Sequence, residues 1–153
     1  MEKTLVILKP CTVLRGLMGE VISRFEKKGL IIVGMKMMNL TDEILAEHYA
    51  HLIDRPFFPI LVRSMQASPA VVMCVKGLNA VHVVRQMTGA TRGREAEVGT
   101  IRGDYCMSGQ QNIVHASDSP ENAEIEIKRF FKDEEIFDYM PSTTYLLYSE
   151  DEL

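Results

Sequence analysis

Apolar positions along this chain fall into two kinds of run. Thr4 to Leu8 is continuous and apolar and stops at Lys9-Pro10, which predicts a central strand buried on both faces. Leu30 to Met38, interrupted by Gly34, and Ala70 to Lys76 predict two more strands, and Asn112 to His115 a short fourth. Between them the apolar spacing becomes helical. Met18, Val21, Ile22 and Phe25 predict a helix that Arg15-Gly16 leads into and that runs to about Lys28, with Gly29 as its stop. Thr41, followed by Asp42 and Glu43, opens a helix with Ile44, Leu45, His48, Tyr49 and Leu52 on one face. Pro56 starts a further short helix to about Met65, and Asn79 is the expected cap of a helix to about Met87. Ser119-Pro120 opens the last helix, which places Ala123, Ile127, Phe130 and Phe131 together and ends near Phe131.

The order is β-α-β-α-α-β-α-loop-β-α. Without the inserted helix it reduces to βαββαβ, so the expected class is α+β: a ferredoxin-like antiparallel sheet with helices on one face, an inserted helix pair and a long glycine-rich loop. That loop, residues 88–112, holds Gly89, Gly93, Gly99 and Gly103 and shows no sustained period, which marks it as functional. Residues 1–153 read as a single domain, with about 136–153 an acidic, aromatic extension that packs on the domain or on a neighbour. This architecture serves many activities and selects none of them.

Composition narrows the choice. With 46% hydrophobic residues in 153, disorder is excluded for most of the chain, and no apolar run is long enough for a membrane span. The start, Met1-Glu2-Lys3-Thr4, has no leader layout, so the cytoplasm is the expected location. Cys11, Cys74 and Cys106 form no C-x-x-C pair and read as reduced thiols. A net charge of −4 argues against general nucleic-acid binding. Yet Arg55 to Arg102 carries seven basic residues, six of them Arg, against two acids. Such an arginine-rich middle suits either a phosphate site or a solvated surface. There is no G-x-x-x-x-G-K-[ST] and no kinase-type Gly-rich loop. His115, at a strand end and followed by Ala116-Ser117-Asp118-Ser119, is either a presented nucleophile or a core histidine.

Strings taken together resolve these alternatives. Thr100-Ile101-Arg102-Gly103-Asp104-Tyr105 and Asn112-Ile113-Val114-His115-Ala116-Ser117-Asp118-Ser119 closely resemble the active-site signature of nucleoside diphosphate kinases. Arg15-Gly16-Leu17, Gly19-Glu20, His48-Tyr49 and Asp54-Arg55-Pro56-Phe57-Phe58 extend the match over roughly residues 3–135. The resemblance implies that His115 accepts the γ-phosphate of a nucleoside triphosphate such as ATP or GTP and returns it to a nucleoside diphosphate. It also implies that Glu126 orients His115, that Ser117 contacts Glu126, and that Tyr49 sits beside the histidine. Lys9 and Asn112 are implied at the ribose, Phe57 as a stacking platform, and Arg85, Thr91 and Arg102 at the phosphates. Mg²⁺ is the implied cofactor, held mainly by nucleotide phosphates with no protein metal ligand. A homo-oligomer is implied, hexameric with a tetramer as the alternative, with neither membrane nor nucleic acid as a partner. Stacking without a base-edge reader implies broad base specificity.

The chain departs from the family pattern in several places. Cys11 stands where Asp is usual, Gly93 where Pro is usual, and Gln110-Gln111 where Gly-Arg usually precedes Asn112. Restoring proline at Gly93 is expected to stabilise the loop, provided the backbone accepts φ near −65°.

Overall fold

The computed structural model describes residues 1–153. Four strands, β1 (Glu2–Leu8), β2 (Ile31–Met38), β3 (Ala70–Gly77) and β4 (Val114–Ala116), form one sheet in the order β2-β3-β1-β4. All three pairings are antiparallel. Seven α-helices accompany them: α1 (Pro10–Leu14), α2 (Met18–Lys27), α3 (Asp42–His48), α4 (Phe58–Met65), α5 (Ala80–Thr88), α6 (Ile101–Tyr105) and α7 (Pro120–Phe130).

The expected ferredoxin-like sheet is present, and α2 and α5 of the βαββαβ unit share one face. There Val21, Phe25, Ala80 and Val84 pack on Val6, Leu8, Val71, Met73 and Val75. The opposite face is covered as well. Leu45 of α3, Leu61 and Met65 of α4, and Ile127 and Phe130 of α7 pack on Leu5, Ile7, Val72 and Cys74. Helices on one face therefore describes the βαββαβ unit alone, and the inserted pair and α7 close the second face. The cause is visible in β1 and β3. Their side chains alternate between faces, but Leu5 to Leu8 and Ala70 to Val75 are apolar throughout, so both faces have to be buried.

Local chemistry explains most element ends. Thr41 Oγ1 accepts from Ile44 N at 3.2 Å and Ser119 Oγ from Asn122 N at 3.1 Å, with Pro120 at the first helical position of α7. Asn79 precedes α5 as expected but does not cap it. It adopts φ 50°, and the α5 amide of Val81 is satisfied instead by Glu2 Oε1 at 2.9 Å. Two short helices lay hidden in the sequence. Pro10, which the sequence marks only as a strand stop, begins α1. In the glycine-rich loop, Thr100 Oγ1 accepts from Gly103 N at 3.0 Å and starts α6. A Cβ at Gly103 would collide with the Glu97 carbonyl, so the helix contains a weak helix former for a packing reason.

Beyond α7 the chain crosses the outer side of β2. Phe137 N donates to Val33 O at 2.7 Å and Tyr139 OH to Ile32 O at 2.8 Å, while Glu135 pairs with Lys36 and Asp138 with Lys76. No helix is long and apolar enough to cross a membrane.

Candidate active site

The site is assembled around the short edge strand β4. Ile7 of β1 pairs with His115, so the histidine lies on the side of the sheet covered by α7. Its Nε2 is 3.1 Å from Glu126 Oε2 on that helix. The same carboxylate oxygen accepts Ser117 Oγ–H at 2.6 Å, and Ser117 Oγ in turn accepts from Leu5 N at 3.3 Å. Burial opposes ionisation of Glu126, but the hydrogen bonds from His115 and Ser117 outweigh it and bring its carboxyl down to about 2. An ionised carboxylate is acceptor-only, so the neutral tautomer of His115 that fits carries its proton on Nε2 and keeps the lone pair on Nδ1.

Just before β4 the backbone is strained. Ile113 is β-branched and fully buried, yet its φ is 73°. The carbonyls around this turn are all claimed. Ile113 O accepts from Lys9 N at 2.8 Å and from Thr12 Oγ1 at 2.5 Å. Arg102 Nε donates to Asn112 O at 3.2 Å, Nη2 to Val114 O at 2.6 Å, and Nη1 to Gly89 O at 2.8 Å. Arg102 is 5% exposed, so its guanidinium bridges α6, the end of α5 and β4. A guanidinium has five N–H groups, and two remain for a ligand. Lys9 Nζ donates to Asn112 Oδ1 at 2.6 Å, and Asn112 Nδ2 donates to Thr91 O at 3.0 Å.

These side chains face a cavity of about 810 Å³. Lys9, Tyr49, Phe57, Arg85, Thr91, Arg102, Asn112, His115 and Glu126 all line it, while Ser117 lies behind Glu126, fully buried. Burial and the charge of Arg102 lower Lys9 to about 8, and burial and Arg85 lower Arg102 to about 10. Lys9, Arg85 and Arg102 thus crowd one cavity, and none is in an ion pair with a protein carboxylate. That is the electrostatic condition for attracting an anion. Tyr49 OH is buried without a partner, and burial followed by the charge of Glu126 pushes its hydroxyl above the ordinary range.

The structure adds residues that had no assigned role. His48, the last residue of α3, packs edge-on against His115 with ring centroids 4.5 Å apart. Arg129 of α7 approaches His48 Nδ1 at 3.1 Å. The available signal was a histidine on an otherwise apolar helix face. Gln110, Asp118 and Asn122 also line the cavity, Gln110 being one of the residues that depart from the family pattern.

Comparison with known proteins places this geometry. The nucleoside diphosphate kinase family profile matches residues 2–136. A nucleoside diphosphate kinase from Parabacteroides distasonis is 64% identical over 99% of this chain and 99% of its own length. One from Pyrococcus abyssi is 55% identical over 90% and 89%. Among solved structures, a nucleoside diphosphate kinase from Halobacterium salinarum in complex with CDP superposes with a TM-score of 0.94 at 41% identity, covering 97% of this chain and 99% of that one. A domain-length family match, near-complete relatives and a shared fold agree, and the chain belongs to the nucleoside diphosphate kinase family.

Proposed function

We propose that His115 is the group that carries phosphate in this phosphotransferase. The observation that carries the reading is the His115–Glu126 hydrogen bond, which occupies Nε2 and leaves Nδ1 as the nucleophilic nitrogen. In the first half-reaction the Nδ1 lone pair attacks the γ-phosphorus of a nucleoside triphosphate. An N–P bond forms, the bond to the bridging oxygen breaks, and the nucleoside diphosphate departs with that electron pair. Positive charge developing on the imidazole is met by the ionised Glu126 through the Nε2 proton. In the second half-reaction a terminal oxygen of an acceptor diphosphate attacks the phosphorus, and His115 leaves.

Arg102 offers its two uncommitted N–H groups to the moving phosphate oxygens, with Tyr49 OH beside them on the inner wall, while Arg85 and Thr91 hold the phosphates that stay with the nucleoside from the rim. Lys9 and Asn112, already bonded to each other, face the sugar hydroxyls. Phe57, 41% exposed, presents a ring to the base. Stacking alone supports broad base acceptance, with ATP and GTP among the donors.

Mg²⁺ fits as a passenger of the nucleotide. The cavity cluster with metal-ligand spacing, His48, His115 and Glu126, offers two imidazoles and a carboxylate that is already hydrogen-bonded, whereas Mg²⁺ demands oxygen ligands. When bound, the ion supplies charge neutralisation on the phosphate oxygens, and the chain itself supplies the histidine and the arginines. The exposed Phe137, Tyr145 and Leu146 of the C-terminal segment support a homo-oligomer, hexameric or tetrameric. A cytoplasmic location accords with the free thiols of Cys11, Cys74 and Cys106.

The test is incubation with γ-labelled ATP and Mg²⁺, followed by denaturing electrophoresis. An acid-labile, alkali-stable label is expected on the wild type and none on His115→Ala. That variant should still bind nucleotide and lose roughly 10³-fold or more in transfer. Label on the purified variant would overturn the assignment.

A further inference from the structure

His115 is held at a single nitrogen. One hydrogen bond at Nε2 fixes where that atom lies but leaves the ring free to roll about the bond, and rolling swings Nδ1 away from an incoming phosphorus. What fills the space beside the ring is His48, 7% exposed, meeting His115 at an interplanar angle of 77°. His48 is itself boxed in by Tyr49, with centroids 4.7 Å away, and by Phe130 at 5.2 Å, both also near-perpendicular.

The ionisation and tautomer of His48 are fixed from outside. Burial, followed by the fields of His115, Arg129 and His51, lowers it to about 3, against the opposing pull of Glu126. Arg129 only donates, so the 3.1 Å contact to Nδ1 requires the lone pair there and the proton on Nε2. Arg129 is in turn tied through Nε to Glu47 Oε1 at 3.0 Å, on the same helix as His48. The buried Nε2–H of His48 has no hydrogen-bond partner. That unsatisfied buried donor is a cost to the folded chain, so the position is not optimised for stability alone.

We propose that His48, locked by Arg129, is a positioning residue for phosphoryl transfer: its neutral ring sets the plane of His115 so that Nδ1 faces the cavity. The pair acts through His115 and touches no reacting atom. This rests on His115 being the phosphate acceptor. A cationic neighbour at this distance would repel the imidazolium character that develops on His115, and Arg129 and burial together keep His48 from becoming one. A side chain without a ring would leave His115 free to roll. Displacing a reacting group by about 1 Å can cost roughly 10²-fold in rate.

The experiment uses the full chain and measures single-turnover labelling of His115 by γ-labelled ATP with Mg²⁺, over a range of ATP concentrations. In His48→Ala the maximal labelling rate is expected to fall roughly 10–100-fold with the half-saturating ATP concentration within about 2-fold of wild type, because orientation is lost and binding is not. His48→Phe restores the neutral ring and should recover the rate to within about 3-fold of wild type. Arg129→Met, which keeps His48 but frees its tautomer, should lower the maximal rate about 3–10-fold, again at unchanged half-saturation. It keeps the test informative if either His48 variant fails to fold. The proposal is overturned if folded His48→Ala labels at the wild-type rate. It is also overturned if His48→Phe is as slow as His48→Ala, or if Arg129→Met labels as wild type. Absence of label on the wild type itself would instead overturn His115 as the acceptor.

Discussion

The inner end of the cavity and its rim are built on opposite principles. At the inner end, Glu126 accepts from both His115 and Ser117, Asn112 is bonded through both side-chain atoms, and Arg102 donates to three carbonyls. At the rim, Phe57, Arg85 and Thr91 are exposed, and their side chains make no hydrogen bond to the rest of the chain. The inner groups are thus in place before any ligand arrives, and little reorganisation is left to oppose the chemical step. The rim groups have no such hydrogen bonds to hold them. On the proposed roles, substrate tolerance and catalytic rigidity are separable in this molecule. Substitutions at the inner end should cost turnover and stability together, and those at the rim should cost affinity alone.

The sharpest break of that comparison is between the two arginines. Arg102→Ala should lower kcat by roughly 10²–10³-fold, as for loss of a preorganised donor to developing charge. It should also destabilise the fold by about 3 kcal/mol or more, because the two carbonyls flanking the strained Ile113 and that of Gly89 at the end of α5 lose a charged donor. Arg85→Ala, on the exposed side of α5, should raise KM and change stability by no more than about 0.5 kcal/mol. Steady-state kinetics and urea unfolding on both variants decide, and equal stability losses would erase the distinction.

The next effect concerns Gly93. On sequence grounds proline there is stabilising if the backbone accepts φ near −65°, but the structure reverses the expectation. Gly93 is buried, its N–H donates to Ser108 O at 3.2 Å, and a Cβ would collide with the carbonyl and Sγ of Cys106. Proline removes the donor and adds the Cβ. Gly93→Pro should therefore destabilise by about 2–3 kcal/mol, read as a lower urea midpoint at fixed subunit concentration. A raised midpoint would show that this loop, which carries Thr91 to the rim, can shift at little cost.

At the rim, Phe57→Ala should weaken nucleotide binding by about 1–3 kcal/mol with kcat nearly unchanged, since a base loses its stacking partner while the phosphate end is untouched. A large fall in kcat would show that base stacking and phosphate alignment are coupled after all.

The effect that is smallest at neutral pH is a pH dependence. Lys9 loses its proton near pH 8 in the free protein, so a ligand that needs the ammonium must restore it at higher pH. Affinity should be flat below pH 8 and fall by up to roughly tenfold per pH unit above it, a limb absent from Lys9→Gln. For stability the sign is opposite. A lysine lowered from 10.5 to about 8 on folding disfavours the folded state most below pH 8, and the penalty fades as pH rises from about 8 to 10.5. Nucleotide titrations and urea unfolding between pH 7 and 10.5 measure the two limbs.

Much of the fold was legible in the sequence because the relevant forces act along it. The apolar runs of β1 and β3, the helical spacing of α2 and α7 and the caps at Thr41 and Ser119 all depend on residues a few positions apart. The ten candidate residues rest on the family resemblance that the motif strings carry. Motifs supply residue types, and they are silent on which atom faces which.

Long-range contact decided the rest. Asn79 reads as a cap, but Glu2, far away in sequence, takes that task. Helix α6 is masked by Gly103, whose reason is the Glu97 carbonyl. Gly93 looks like a lapse in the chain until Cys106 is seen against it. Arg102 reads as a phosphate ligand and proves also to clamp β4 to the end of α5. His48 and Arg129 lie 81 positions apart and had no visible relation in sequence, yet they meet beside His115. Periodicity and local hydrogen bonding are properties of short stretches of sequence and determined the elements and their order. Which side chains share a cavity, which nitrogen of His115 is free and which glycines admit no Cβ depend on the space left when two helical layers close on one sheet, and only the tertiary structure decided them.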